Sequence, residues 1–151
     1  MTDVHDKEVR SRNMAAIRGT GTKPELWLRT RLHHRGYRYR VNFKSLPGRP
    51  DLVFPKYNAV IFINGCFWHR HDCPAFKLPK TRTPWWDEKL GLNRQRDIIN
   101  HARLLKLGWR CFVLWECALK GPAKLSEERV LTEVESWLRY GGKQAELRGY
   151  W

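Results

Sequence analysis

Nine consecutive residues, Gly65-Cys66-Phe67-Trp68-His69-Arg70-His71-Asp72-Cys73, hold two cysteines, two histidines and two adjacent large aromatic rings. Cysteine and histidine at this density read as a zinc site, because thiolate and imidazole are zinc's preferred donors. Cys66, His71 and Cys73 supply three ligands in a C-x4-H-x-C spacing, which is not a standard finger. A closed tetrahedral site needs a fourth, and Cys117, just past an apolar strand over Arg110–Trp115, is the best candidate if the strand Ala59–Ile63 before the clip lies beside that Arg110–Trp115 strand. Cys111, inside that strand, reads as a buried free thiol. The plainer alternative is ordinary buried cysteines next to an unrelated histidine. Phe67 and Trp68 have no role in a plain structural knuckle, but rings held on a rigid clip are placed to be pushed into a partner.

Asp51 follows Pro50 and opens a short apolar strand. This placement resembles the PD-(D/E)xK nuclease fold, in which such an aspartate holds Mg²⁺ beside the scissile phosphate. Turn chemistry also explains a Pro-Asp pair before a strand. The usual acid-x-Lys half is absent, since the next strand ends Ile63-Asn64-Gly65. His69 lies just past that strand end, and neutral imidazole is a suitable general base. Spacing alone leaves His69 equally readable as a surface histidine or as the fourth metal ligand.

The elements that must position these groups follow from the pattern. Thr22 and Pro24 start a helix that carries Leu28 and Leu32 on one side and stops at Gly36. Tyr37 to Phe43 alternates apolar and polar as a half-buried strand does. Asp51–Phe54 and Ala59–Ile63 form a hairpin in the sheet centre. Thr83 and Pro84 open a long helix, expected to break or bend near Gly91 and to end at Leu107-Gly108. Arg110–Trp115 is a strand beside the hairpin, and Ser126 caps a last helix to Tyr140, with Leu125 and Val130 as its staple. Asp6 to Ile17 reads as a short helix presenting Met14, and the tail 141–151 has no clear reading. The expected fold is α/β: a single domain over 1–151, with a central mixed β-sheet flanked by helices.

The chain carries 29 Lys and Arg against 15 Asp and Glu, a net charge of +14. The basic residues run from Arg10 to Arg148, so they do not form a detachable tail. A uniformly basic domain of this size points to nucleic acid, because phosphate contacts release counterions. No long apolar helix, lipidation signal or signal peptide is visible, which makes a membrane partner unexpected and a cytoplasmic location expected. Four cysteines in a reducing compartment favour metal over disulfides. Trp86, Lys89 and Asn93 are spaced i, i+3, i+7 and share one helix face. Asp97, one turn on, either orients His69 or pairs with a neighbouring arginine.

Several strings together resemble the very short patch repair DNA mismatch endonucleases. They are Asp3-Val-His-Asp-Lys7, Arg10-Ser11 with Asn13-Met14, Ser45-Leu-Pro-Gly-Arg-Pro-Asp51, Gly65-Cys-Phe-Trp-His69 with His71 and Cys73, Thr81-Arg-Thr83 with Trp86, Lys89 with Asn93 and Asp97, Leu107-Gly-Trp-Arg110, and Trp115-Glu-Cys-Ala-Leu119. They cover residues 3 to about 120 in order. The resemblance implies a PD-(D/E)xK restriction-endonuclease-like fold with a structural zinc, and an Mg²⁺-dependent nick 5′ of the thymine in T·G mispairs left by 5-methylcytosine deamination. It implies Asp51 and the backbone carbonyl of Ile63 as Mg²⁺ contacts, His69 as water-activating base and Glu25 in the supporting network. Zinc ligands fall on Cys66, His71, Cys73 and Cys117. Phe67, Trp68 and Trp86 become a wedge beside the mispair, with Met14 entering from the opposite groove. Lys89 and Asn93 become readers of base edges. Residues 1–22 become a DNA-contacting segment, with His5 near the cut phosphate. A bacterial, nucleoid-associated monomer acting on double-stranded DNA, with contacts to mismatch-repair proteins, is the implied setting.

Asn64 departs from the resemblance, because members of the family often carry His or Asp there. Its amide does not exchange protons at neutral pH, though it can hydrogen-bond a phosphate oxygen. Two alternatives therefore stand beside the nickase: a non-catalytic zinc-containing mismatch-binding module, and a related restriction-type nuclease cutting both strands.

Overall fold

The computed structural model describes residues 22–151. The expected helix over Asp6–Ile17, with Met14 and His5, lies outside them. The order is α1 (Lys23–His34), β1 (Arg40–Val41), β2 (Leu52–Phe54), β3 (Ala59–Asn64), α2 (Thr83–Lys106), β4 (Arg110–Trp115), α3 (Glu127–Tyr140) and β5 (Gln144–Leu147). The strands form one mixed sheet in chain order, β1-β2-β3-β4-β5. The first two pairings are antiparallel and the last two parallel.

Side-chain alternation assigns each central strand to two cores. Leu52, Phe54, Ile61, Phe112 and Leu114 face α1 and α3, where they meet Leu28, Leu32, Val134 and Leu138. Val53, Val60, Phe62, Cys111 and Val113 face the other way and pack with Leu104 of α2. Sheets covered on both faces read as near-continuous apolar runs, which is how β3 and β4 appear in the sequence.

Local chemistry fixes the helix ends. Thr22 caps α1, its hydroxyl accepting the N–H of Glu25 at 3.5 Å. Ser126 caps α3 in the same way through the N–H of Arg129 at 3.1 Å. The far end of α3 is closed by Arg110 at the start of β4. Its guanidinium donates to the carbonyls of Trp137 (3.0 Å), Leu138 (2.7 Å) and Tyr57 (3.1 Å). It also stacks on the Trp137 ring at 4.6 Å.

Three expectations need correction. The strand expected over Tyr37–Phe43 shrinks to Arg40–Val41. Alternation there chooses faces correctly, since Tyr37 is buried and Arg38 exposed. Pairing fails because β2 offers only three residues, and because Asn42 turns left-handed at φ 52°. The bend expected at Gly91 is absent, for α2 runs unbroken from Thr83 to Lys106. Helix propensity is a weak prior, and one glycine does not stop a helix anchored on the sheet. The tail is a fifth strand, parallel to β4 from Cys111↔Gln144 to Leu114↔Leu147. Its four residues, Gln-Ala-Glu-Leu, carry too little β signal to be read alone.

Two substitutions test this account by urea denaturation. A Cβ at Gly91 meets nothing within 4 Å, so Gly91→Ala should stabilise by about 0.5–1 kcal/mol. Arg110→Ala should destabilise by about 2 kcal/mol or more, because several carbonyls lose a charged donor.

Candidate active site and metal centre

The β3–β4 ladder ends with Asn64 opposite Trp115, and the candidate groups gather beyond that end. Asp51 lies one residue before β2, and its Oδ2 accepts the N–H of Ile63 at 2.7 Å. Burial pushes the Asp51 carboxyl up to about 7. The Ile63 N–H opposes that rise, and the Glu25 carboxylate adds to it by its charge and by a hydrogen bond with Asp51. Glu25, in the first turn of α1, is 1% exposed and has the Arg29 guanidinium 3.6 Å away. Two carboxylates held this close favour either a shared proton or a cation between them.

The His69 imidazole lines the cleft beside Asn64, at the end of β3. Its Nδ1 lies 2.6 Å from Asp97 Oδ2. That contact fixes the proton on Nδ1 and leaves Nε2 to accept one, the orientation a general base needs. It also decides between the two roles open to Asp97, which partners His69. Asn64 is 4% exposed and lines an open cleft of about 300 Å³ with His69, Asp97 and Trp115.

The cleft wall includes residues that the sequence did not single out, Arg94, Ile98 and Val113 among them. Three others bear more directly on the site: His101 from α2, and Glu146 and Arg148 from the C-terminal tail. His101 carries its own clue in retrospect, one helical turn after Asp97. Nothing in the sequence pointed to Glu146 or Arg148, because the strand that carries the first and leads into the second was itself unread.

Cys66, His71, Cys73 and Cys117 come together as expected, with all ligand atoms within 4.8 Å of one another. His71 Nδ1 lies 3.5 Å from Cys66 Sγ and 3.7 Å from Cys117 Sγ. Zinc–sulfur and zinc–nitrogen bonds of about 2.3 and 2.0–2.1 Å would set such tetrahedral edges at roughly 3.5–3.8 Å. Burial lowers the His71 imidazole to about 4, so it is neutral and able to ligate. Burial pushes the Cys66 thiol up, so without a cation it holds its proton. The donor set therefore fits a divalent, sulfur-seeking metal. Cys111 is buried and free, apart from this group.

The loop between Cys66 and Cys73 is tightly wound. His71 N–H donates to the Cys66 carbonyl at 2.9 Å, and Arg70 turns left-handed at φ 47°. The His71 ring lies flat on Trp115, with centroids 3.7 Å apart. Phe67, Trp68 and Trp86 form one aromatic group, with centroids 5.1, 5.4 and 5.9 Å apart. Phe76 stacks on Phe67 at 6.2 Å, and Trp85 meets Trp86 at 4.9 Å. The sequence reading missed both of these rings, although Trp85 adjoins Trp86. Trp85 is 44% exposed beneath the Arg82 guanidinium and the Lys89 ammonium, at 4.6 and 5.6 Å. Asn93 donates to the Trp68 carbonyl at 3.1 Å, and Arg94 to that of Arg70 at 3.1 Å. The helix thereby holds the loop that carries the rings.

The site defines a class: a basic α/β protein with a buried carboxylate pair, an oriented histidine and a Cys₃His cluster able to hold a metal ion at one end of a mixed sheet. Residues 2–75 match the family described as DNA mismatch endonuclease Vsr. The chain is 48% identical over 147 residues to the DNA mismatch endonuclease Vsr of Escherichia coli (strain K12), covering 97% of this chain and 94% of that one. It is 42% identical over 137 residues to the type II nicking enzyme V.NmeAIP of Neisseria meningitidis, covering 89% and 98%. It is 45% identical over 119 residues to the type II nicking enzyme V.XorIIP of Xanthomonas oryzae pv. oryzae, covering 79% and 88%. The protein belongs to the Vsr family of DNA mismatch endonucleases. Among the described residues, no helix is long and apolar enough to cross a membrane.

The raised Asp51 pKa sets a pH dependence. Folded Asp51 holds its proton up to about pH 7, whereas the unfolded carboxyl loses it near the ordinary value of 3.8. The folded state therefore binds more protons between those limits, and this contribution to stability is lost as pH rises through about 7. In metal-free protein, Asp51→Asn should remove a loss on the order of 2–4 kcal/mol between about pH 4 and pH 8. Denaturation midpoints of the two proteins against pH, without divalent ions, check this.

Proposed function

We propose that the protein is a strand-nicking DNA mismatch endonuclease that hydrolyses the phosphodiester 5′ of the thymine in a T·G mispair. The observation that carries the reading is that one loop, Gly65–Cys73, holds His69 against Asp97 in the cleft beside Asn64, and Phe67 and Trp68 in the aromatic group. Detection and cutting then share one rigid mount. The mixed sheet, with an aspartate at the start of its antiparallel hairpin, supports a PD-(D/E)xK-like fold and a single domain over 1–151.

Asp51 and the Ile63 carbonyl would hold Mg²⁺, with Glu25 in support. Bound there, the ion offsets charge on the phosphoryl oxygens and lowers the pKa of the attacking water. His69 accepts the water proton at Nε2, and Asp97 stabilises the imidazolium that results. Asn64 hydrogen-bonds phosphate and transfers no proton, so the leaving 3′-oxygen takes its proton from water. Cys66, His71, Cys73 and Cys117 would hold Zn²⁺, which ties the loop to the end of β4.

Phe67, Trp68 and Trp86 enter the stack at the mispair, where unstacking costs least. Base–aromatic stacking returns roughly 1–3 kcal/mol per base. Met14 and His5, on the N-terminal segment, and Lys89, on the face of α2 beside the rings, complete the DNA contacts. Asn93, engaged with the Trp68 carbonyl, positions the wedge as well as facing the mispair. The net charge of +14 supplies the phosphate affinity. One nick per event needs one active site, so a monomer suffices.

A duplex labelled on each strand, carrying T·G or matched T·A, with and without Mg²⁺, tests this. The expected product is one nick, 5′ of the mispaired thymine, only with Mg²⁺. Tight mismatch binding without any cut would leave a recognition module. A double-strand cut of the matched duplex would make it a restriction-type nuclease. Asp51→Ala should bind mismatched DNA without nicking, and His69→Ala should lower the nicking rate by about 10²–10⁴-fold. Cys117→Ala should lose zinc and fold less stably, as metal analysis and thermal melting would show.

A further inference from the structure

The C-terminal tail, which the proposed reaction does not use, makes four hydrogen bonds around the Cys/His cluster, one of them to a cluster sulfur. The Gly149 N–H donates to Cys117 Sγ at 3.2 Å. Arg148 Nη2 donates to the Asp72 carbonyl at 2.5 Å, holding the loop between His71 and Cys73. The Tyr150 N–H donates to the Ala123 carbonyl at 2.7 Å and pins the chain beyond. Glu146 Oε2 accepts the Trp115 indole N–H at 3.1 Å, fixing the ring against which His71 lies.

Residue 149 is buried and brings the backbone unusually close to the centre. A Cβ there would sit 2.5 Å from the Cys117 carbonyl oxygen and 2.9 Å from both Ala123 Cβ and Ala123 O. Only glycine lets the main chain approach far enough for its N–H to reach the sulfur. Three thiolates and one imidazole leave a divalent cation with a net negative shell. N–H···S bonds and a nearby guanidinium offset that charge and orient the donors, as groups around metal ligands generally do.

We propose that residues 146–150 form a clasp on the metal centre, with Gly149 and Arg148 as positioning residues that retain the metal and hold the 66–73 loop. The clasp rests on reading the Cys₃His cluster as a metal centre. Strand β5 is then required for more than closing the sheet edge, since it aims the clasp at the centre. The edge position has a direct consequence: fraying of β5 would loosen the metal and, through the loop, the aromatic wedge.

The test uses the full chain loaded with Zn²⁺ or substituted with Co²⁺. Metal release to an excess chromogenic chelator is timed, and the thiolate-to-cobalt charge-transfer absorption is recorded. Arg148→Ala and Gly149→Ala should each release metal about ten-fold faster or more, and Gly149→Ala should shift the absorption band. Tyr150→Ala, which keeps the backbone N–H and removes an exposed ring, should behave as wild type. Wild-type release rates and an unchanged band in both variants would overturn the clasp, whatever their thermal stability. If Gly149→Ala does not fold, Arg148→Ala decides alone, since it removes a single side-chain contact. A wild-type protein that takes up neither metal would instead overturn the metal centre itself.

Discussion

The parallel pairing of β3 with β4 is the constraint on which the rest depends. Six residues on each strand align from Ala59↔Arg110 to Asn64↔Trp115. That register carries Cys66 and Cys117, 51 positions apart in the chain, to one point beyond the sheet. It also sets Trp115 as the floor under His71. Strand register moves in whole residues, and a slip of one reverses every side chain. A slip here would turn Trp115 from the second core and separate the sulfurs. The Cys/His cluster and the strand pairing therefore report on the same event.

From that point the site is organised by unfavourable electrostatics held in place. Asp51 and Glu25 share a region that burial makes costly for charge, and neither core gains from them. Carboxylates are placed this way where a cation or a transferred proton is part of the work. The cost is borne by the helix cap at Thr22, the apolar faces of α1 and the Ile63 N–H, which fix both groups before substrate arrives. Around this small acidic pair the protein is strongly basic, with a net charge of +14, so its surface suits a polyanion.

The fold was legible wherever local chemistry and burial agree. The caps at Thr22 and Ser126, the apolar runs of β2, β3 and β4, and the Pro84 helix start all appear where the pattern places them. The failures share a cause. The Tyr37–Phe43 alternation was genuine, but a strand also needs a partner, and β2 was too short to supply one. Gly91 was a local weakness that packing against the sheet overrode. Gln144–Leu147 had no pattern to read, because edge pairing with β4 rather than its own side chains makes it a strand. The candidate site was legible to the extent that its residues cluster in sequence: the 65–73 loop, Asp51 and the 86–97 face of α2. Phe76, His101, Glu146 and Arg148 enter it only through folding.

The sequence by itself determined the inventory: three clustered zinc-type donors, an aspartate at a strand start, a histidine beside both, paired aromatics and a net charge of +14. These follow from residue type and short spacing, which folding does not alter. The tertiary structure alone decided the pairings. Asp97 faces His69 rather than an arginine, Cys117 rather than Cys111 completes the Cys/His cluster, and a tail without any signal closes over it. Each is a contact across many residues, set by sheet register and helix placement, and such distances are written nowhere in the local order of the chain.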